Sequence, residues 1–87
     1  MPEMLARVEV TDFQTWLVNH RSQSAARTGY GMVDGPIYRD IDDPNAAFVQ
    51  IHTEDLAKAR EWFQTEEFAQ STEKAGVIRR EFFIVGQ

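Results

Sequence analysis

The chain contains no cysteine, so no disulfide can staple it and no thiolate can hold a metal. Basic residues are scarce. Nine Lys and Arg stand against fourteen Asp and Glu, a net charge of −5. A nucleic-acid binder needs a basic footprint, so that class is excluded. No apolar run approaches the roughly 18 residues of a membrane span. The start, Met1 to Val10, has neither the cationic stretch nor the long apolar core of a secretory leader, which points to the cytoplasm. The five glycines and three prolines are scattered. They form no phosphate loop, linker or repeat.

What is present is an ordinary globular mixture, 43% hydrophobic and 26% charged, over 87 residues. Residues 1–87 read as a single domain. A domain this small buries only about 60% of its unfolded surface, so oligomerisation is the remaining source of stability.

Turn signals divide the chain into six segments. Met4–Val10 alternates, with Ala6, Val8 and Val10 on one face and Leu5, Arg7 and Glu9 on the other, which is a half-buried strand. Thr11 to Gln14 has capping-box spacing and should open a helix. Phe13, Trp16, Leu17 and His20 form its apolar stripe, and Gly29 ends it. Met32–Ile41 is extended but broken by Gly35-Pro36, which predicts an edge strand with a kink. Asp43-Pro44-Asn45-Ala46 is a turn, and Ala46–His52 is the next strand. Thr53 is expected to cap a second helix, with Leu56, Ala59 and Phe63 as its stripe. A short helical piece continues to Ala75, and Gly76 ends it. Arg79–Val85 is the last strand, apolar on both faces through Phe82, Phe83, Ile84 and Val85.

The order β-α-β-β-α-β with right-handed crossovers gives an α+β, ferredoxin-like fold. A four-stranded antiparallel sheet carries its helices on one face, with the first and third strands central. The other face is left bare and partly apolar, which predicts a homodimer closing a cavity between two sheets.

The strand followed by Asp12-Phe13-x-x-Trp16 is one motif. Others are Tyr38-Arg39-Asp40 before Asp42-Asp43-Pro44-Asn45, the strand Ala47-Phe48-Val49, and Glu54 to Ala59 with Phe63 and Phe68 before Ala75-Gly76-Val77. Over nearly the whole chain these resemble the dimeric α/β barrel superfamily. That group includes antibiotic-biosynthesis monooxygenases, polyketide cyclases and haem-degrading enzymes. The resemblance implies the fold, the dimer and a small-molecule cavity. Its cofactor-free monooxygenases use an Asn, a Trp and a His together. Asn19, Trp16 and His20 match those residue types, though all three fall in one helix. Its polyketide cyclases pair a His with a Tyr. The motifs here are structural and assign no catalytic residue.

Strand alternation gives the candidate cavity residues directly. Phe48, Gln50 and His52 share a face with Leu5, Arg7 and Glu9. A two- or four-residue hairpin loop adds Ile37, Arg39 and Ile41 to that face. A three-residue loop would place Tyr38 and Asp40 there instead. His52 is the foremost acid–base candidate, the alternative being a His at a strand end bonded to backbone or water. His20 either packs in the core or points into a space between helix and sheet. Arg39 and Arg7 could hold an oxyanion or could serve as ion-pair partners, Glu9 being the obvious one for Arg7. Tyr30, between Gly29 and Gly31, could swing over a pocket mouth or pack as a loop ring. Two His and no Cys leave no metal site, and no cofactor motif occurs.

The functional expectation is a small homodimeric enzyme acting on an aromatic or polyketide-like molecule, as a cyclase or cofactor-independent monooxygenase. The alternative is a non-catalytic small-molecule-binding or structural dimer. His52, His20 and Tyr30 would be catalytic. Arg39, Arg7, Gln50 and Phe48 would bind substrate.

Overall fold

A computed structural model describes residues 3–86. The reading of the N-terminus as no leader rests partly on Met1 and Pro2, which lie outside this range. The elements are β1 (Glu3–Val10), α1 (Phe13–Ser22), α2 (Ser24–Gly29), β2 (Met32–Arg39), β3 (Ala46–Thr53), α3 (Leu56–Phe63), α4 (Glu66–Lys74) and β4 (Val77–Val85). The first expected helix is broken into α1 and α2, and the short helical piece expected after the second is α4, so the order is βααββααβ. The sheet is antiparallel in the order β2-β3-β1-β4, with the first and third strands central as the alternation implies. The fold is ferredoxin-like. Among the described residues no helix is long and apolar enough to cross a membrane.

The starts of α1 and α3 are chemically defined, each one residue or more from where the sequence places it. Asp12, rather than Thr11, caps α1 by accepting from the Thr15 N–H at 2.9 Å. Asp55, rather than Thr53, caps α3 by accepting from the Lys58 N–H at 3.1 Å. Thr53 is fully buried at the end of β3, and its hydroxyl donates to the Asp55 carbonyl. A carboxylate at the N-cap also favours the helix dipole, so Asp wins over the neighbouring Thr.

Met4, Ala6, Val8 and Val10 of β1 face the helices, as do Val49 and Ile51 of β3, and all are buried. Phe13 and Trp16 of α1, Ala59 and Trp62 of α3, and Ala75 complete the core. Trp62 lies between Tyr30 and Phe68, at ring separations of 5.4 and 5.9 Å.

β2 departs from the expected parity. Asp34 opposes Ile51 but Ile37 opposes Val49, so Gly35 and Pro36 together face Gln50 in a bulge. A side chain at position 35 would meet the Gln50 carbonyl oxygen at 2.6 Å, which is why Gly stands there. The bulge flips all that follows. Tyr38 opposes Phe48 on the open face, while Ile37 and Arg39 turn to the helix side beside Val49 and Ala47. The hairpin agrees. Asp40 N–H donates to Ala46 O across an odd-numbered loop of five residues, 41–45, which pairs even positions with even. Arg39 and Ile37 therefore do not reach the open face, against the first of the two registers above.

Before the bulge, Asp34 points toward the helices and meets Arg27. Arg27 is only 5% exposed. Its Nε donates to Asp34 Oδ1 at 2.6 Å, and its Nη2 to Asp34 Oδ2 at 2.9 Å and to the His20 carbonyl at 2.6 Å. This bidentate pair locks α1, α2 and β2 together and holds the Asp34 carboxyl below the usual carboxylate range. Removing one partner strands the buried guanidinium. Asp34→Asn should lower the unfolding free energy by about 3 kcal/mol, read as a fall in the urea midpoint. A change under about 0.5 kcal/mol would show that the pair is solvated and carries no weight.

Candidate functional site

One cavity among the described residues lies between the helices and the covered face of the sheet, and a second lies on the bare face. Space open to the centre of a water-sized sphere is about 60 Å³, within some 540 Å³ of atom-free volume that includes its mouth. The first figure exceeds the roughly 10–15 Å³ one water requires. Ala6, Val8, Val49 and Ile51 make the floor. Trp16 of α1, Trp62 and Phe63 of α3, Phe68 of α4 and Phe82 of β4 supply aromatic walls. The pocket on the open face, about 80 Å³ by the same measure as the 60 Å³ above, is lined by Leu5, Tyr38, Phe48 and Gln50 together with the edges of Ala6 and Val49.

His20 is the titratable group in the inner cavity. The α1 stripe carries it there, one turn after Trp16, and the two rings stack at 5.0 Å and 21°. Burial pushes its pKa down to about 4, and the nearby Arg27 charge adds to this. Its imidazole is therefore neutral at pH 7. Around it, Ser71 of α4 donates to Asn19 Oδ1 at 2.6 Å, tying α1 to α4. The Gln23 Oε1 atom, at the α1–α2 junction, is buried with no hydrogen-bond partner.

Arg80 of β4 also lines this cavity. It opposes Val8 on the helix side, in line with Phe82. Its Nη1 donates to Thr72 Oγ1 at 3.1 Å. Its guanidinium lies over Phe68 at 4.8 Å and Phe82 at 5.7 Å, both within cation–π reach. Burial lowers its pKa from the ordinary arginine value, yet an arginine stays charged. Among the described residues no carboxylate forms an ion pair with it. None of the cavity's lining residues is Asp or Glu. Arg27 also reaches the cavity, but its charge is spent on Asp34. The site thus combines one uncompensated cation, one neutral imidazole and several aromatic rings. No three His, Cys, Asp or Glu side chains among the described residues converge to hold a metal.

The other sequence candidates lie elsewhere. His52, Gln50 and Phe48 are on the open face, as their parity requires, and His52 Nδ1 stands 3.0 Å from Glu3 Oε1. Arg7 shares that face but is engaged by Glu9 at 2.9 Å and Asp40 at 3.3 Å. Arg39 lies over the Phe13 ring at 4.1 Å and donates to the Pro44 carbonyl, on the other side of the sheet. Tyr30 packs on Trp62. Of the predicted residues only His20 reaches the inner cavity. Arg80 and Gln23 were missed. The signal for Arg80 is its parity: an arginine sharing a strand face with Phe82 and Ile84 sits under the helices.

The fold is ferredoxin-like. Solved structures of that kind superpose over essentially the whole chain. A single-site variant of SnoaB, a cofactor-independent oxygenase from Streptomyces nogalater, matches with a TM-score of 0.76 and 14% identity, covering 99% of this chain and 91% of that one. An antibiotic biosynthesis monooxygenase matches at TM-score 0.74 and 14% identity, covering 100% and 98%. A conserved protein from Methanosarcina mazei matches at 0.75 and 13%, covering 99% and 91%. Neither a family model nor a curated protein sequence matches the chain.

The depressed pKa of His20 has a thermodynamic consequence. The unfolded His takes its proton near pH 6.5, the folded one only near pH 4. Between those values the unfolded state binds more protons. Stability is therefore full above about pH 6.5 and falls as pH drops toward 4, by on the order of 2–3 kcal/mol. Urea unfolding at pH 7 and pH 4.5 should show this loss, and His20→Gln should remove most of it. An unchanged pH dependence in the variant would mean His20 titrates alike in both states.

Proposed function

We propose that the chain is a small enzyme that needs no nucleotide or flavin and acts on an aromatic or polyketide-like molecule in the inner cavity. Its reaction is proton abstraction followed by oxygenation; one neighbour above is a cofactor-independent oxygenase. The observation that carries the reading is Arg80: a half-buried cation with no carboxylate, beside a neutral His and among aromatic rings. A C–H or O–H bond of the substrate breaks, its electron pair stays on the substrate, and the proton passes to the His20 imidazole. The resulting enolate or phenolate lies against Arg80, which stabilises charge that grows in the transition state. That anion also favours the imidazolium, so the base strengthens once substrate is bound. Dioxygen is the oxidant: it adds to a ring carbon of the anion, the imidazolium returns its proton to the peroxide so formed, and loss of the C–H proton with O–O cleavage releases water and leaves one oxygen on the ring as a quinone carbonyl.

The low pKa of free His20 favours a second reading, a binding protein with the same cavity and no turnover. Kinetics separates the two. With an air-oxidisable hydroxynaphthalene in an oxygen electrode, His20→Ala and Arg80→Gln should each lower kcat/KM by about 100-fold or more. His52→Ala should stay within about threefold, since His52 lies on the opposite face of the sheet. A loss confined to the His52 variant would move the site to the open face. No uptake beyond the uncatalysed rate would leave the binding reading.

The same proposal includes a homodimer built on the open sheet face. Leu5, Val33, Tyr38, Phe48, Phe83 and Val85 there are each at least 38% exposed. A covered patch of about 800 Å² per subunit would fall in the standard interface class. Phe48→Asp places an unpaired charge at its centre and should give monomer or unfolded protein in native mass spectrometry. Wild-type protein that stays a folded monomer at micromolar concentration would contradict the interface.

A further inference from the structure

We infer that the inner cavity selects a small aromatic anion that also carries a hydroxyl group, Arg80 reading the charge and Gln23 the hydroxyl. The inference rests on the site proposed above but concerns the resting charge of the ligand rather than the reaction.

Two independent observations converge. The first is the charge balance of the cavity wall. The chain as a whole carries −5, yet no acidic residue lines this cavity, and of its two arginines only Arg27 is neutralised. A half-buried guanidinium whose polar side-chain partner is one threonine hydroxyl retains unused donors. A neutral ligand leaves that desolvated charge uncompensated, whereas a carboxylate or acidic enolate meets it with charge-assisted hydrogen bonds. The aromatic faces of Phe68 and Phe82 on the guanidinium compensate it only in part. The second observation is Gln23 Oε1, buried in the same wall with no partner. A buried acceptor left unmade is costly, and a ligand hydroxyl supplies the missing donor. The neighbouring Asn19 amide oxygen already accepts from Ser71, so of the two amide oxygens on this side Gln23 Oε1 is the open one. Trp16 and Trp62 provide flat surfaces that suit a ring between the two polar ends.

Isothermal titration calorimetry with three probes tests this on the full chain: 4-hydroxybenzoate, its neutral isostere 4-hydroxybenzamide, and benzoate. Wild type should prefer 4-hydroxybenzoate over the amide by at least about tenfold, or about 1.4 kcal/mol. Arg80→Gln should erase that preference and Arg80→Lys, which keeps the charge without the fork, should keep part of it. Gln23→Leu should bring 4-hydroxybenzoate down to the affinity of benzoate while leaving the preference for charge intact. Equal wild-type affinity for acid and amide overturns the inference. So does a preference that survives Arg80→Gln, and so does failure of all three probes to bind at millimolar concentration. Should the neutral Arg80 variant not fold, the wild-type ratio and the Gln23 variant decide. Anion-selective binding without any oxygen uptake would sink the enzymatic proposal and leave this one standing. Turnover of neutral substrates untouched by Arg80→Gln would overturn this one and leave an enzyme.

Discussion

Each strand of the sheet has two faces, and the four helices cover only one of them. This constraint sorts every side chain of the molecule. On the covered side, Ala6, Val8, Val49 and Ile51 form both the core and the floor of the cavity. On the bare side, Leu5, Phe48 and Phe83 stay exposed beside the His52–Glu3 and Arg7–Glu9 pairs. One bulge at Gly35-Pro36 inverts the parity of β2 midway. It lets Asp34 reach inward to Arg27 and still sends Tyr38 outward to Phe48. Without it, one of these two contacts would be lost.

The cavity follows from how the covered side is packed. Small residues on the central strands, Ala6 and Val8, leave room that the large rings of the helices bridge rather than fill. Desolvation then has opposite effects on the two basic groups. It strips His20 of its proton, because a neutral imidazole is available at modest cost. It cannot strip Arg80, so the charge persists and is met by Thr72 and two aromatic faces. The incompletely satisfied polar groups of this wall are what the proposed ligand would complete.

Much of the fold was legible because period-two alternation in β1 and β3 is clean and the turn residues are emphatic. The central pair of strands and the face of each residue in them followed from that pattern alone. The register of β2 did not, because two loop parities were open and a bulge depends on how closely Gly35 approaches the Gln50 carbonyl. The helix caps slipped to Asp12 and Asp55, since adjacent Thr and Asp compete for the same role. The site was legible only in part. His52 drew attention on the open face, where near-neutral chemistry and alternation coincide. His20 had both readings open, and only the packing shows that the space beside it is a cavity. Arg80 sat in an Arg79-Arg80 pair whose two members face opposite sides. Nothing in the residue types separates an arginine that meets solvent from one half-buried without a carboxylate partner.

The account turns on a desolvated cavity that holds His20 neutral beside a lone cation. The most direct measurement is an NMR titration of the His20 ring, following its Cε1–H resonance in labelled protein from pH 7.5 to 3.5. The account predicts a midpoint near pH 4. A midpoint near the ordinary 6.5 would mean that water reaches the ring freely, and the inner cavity would then lose the property that makes it a site.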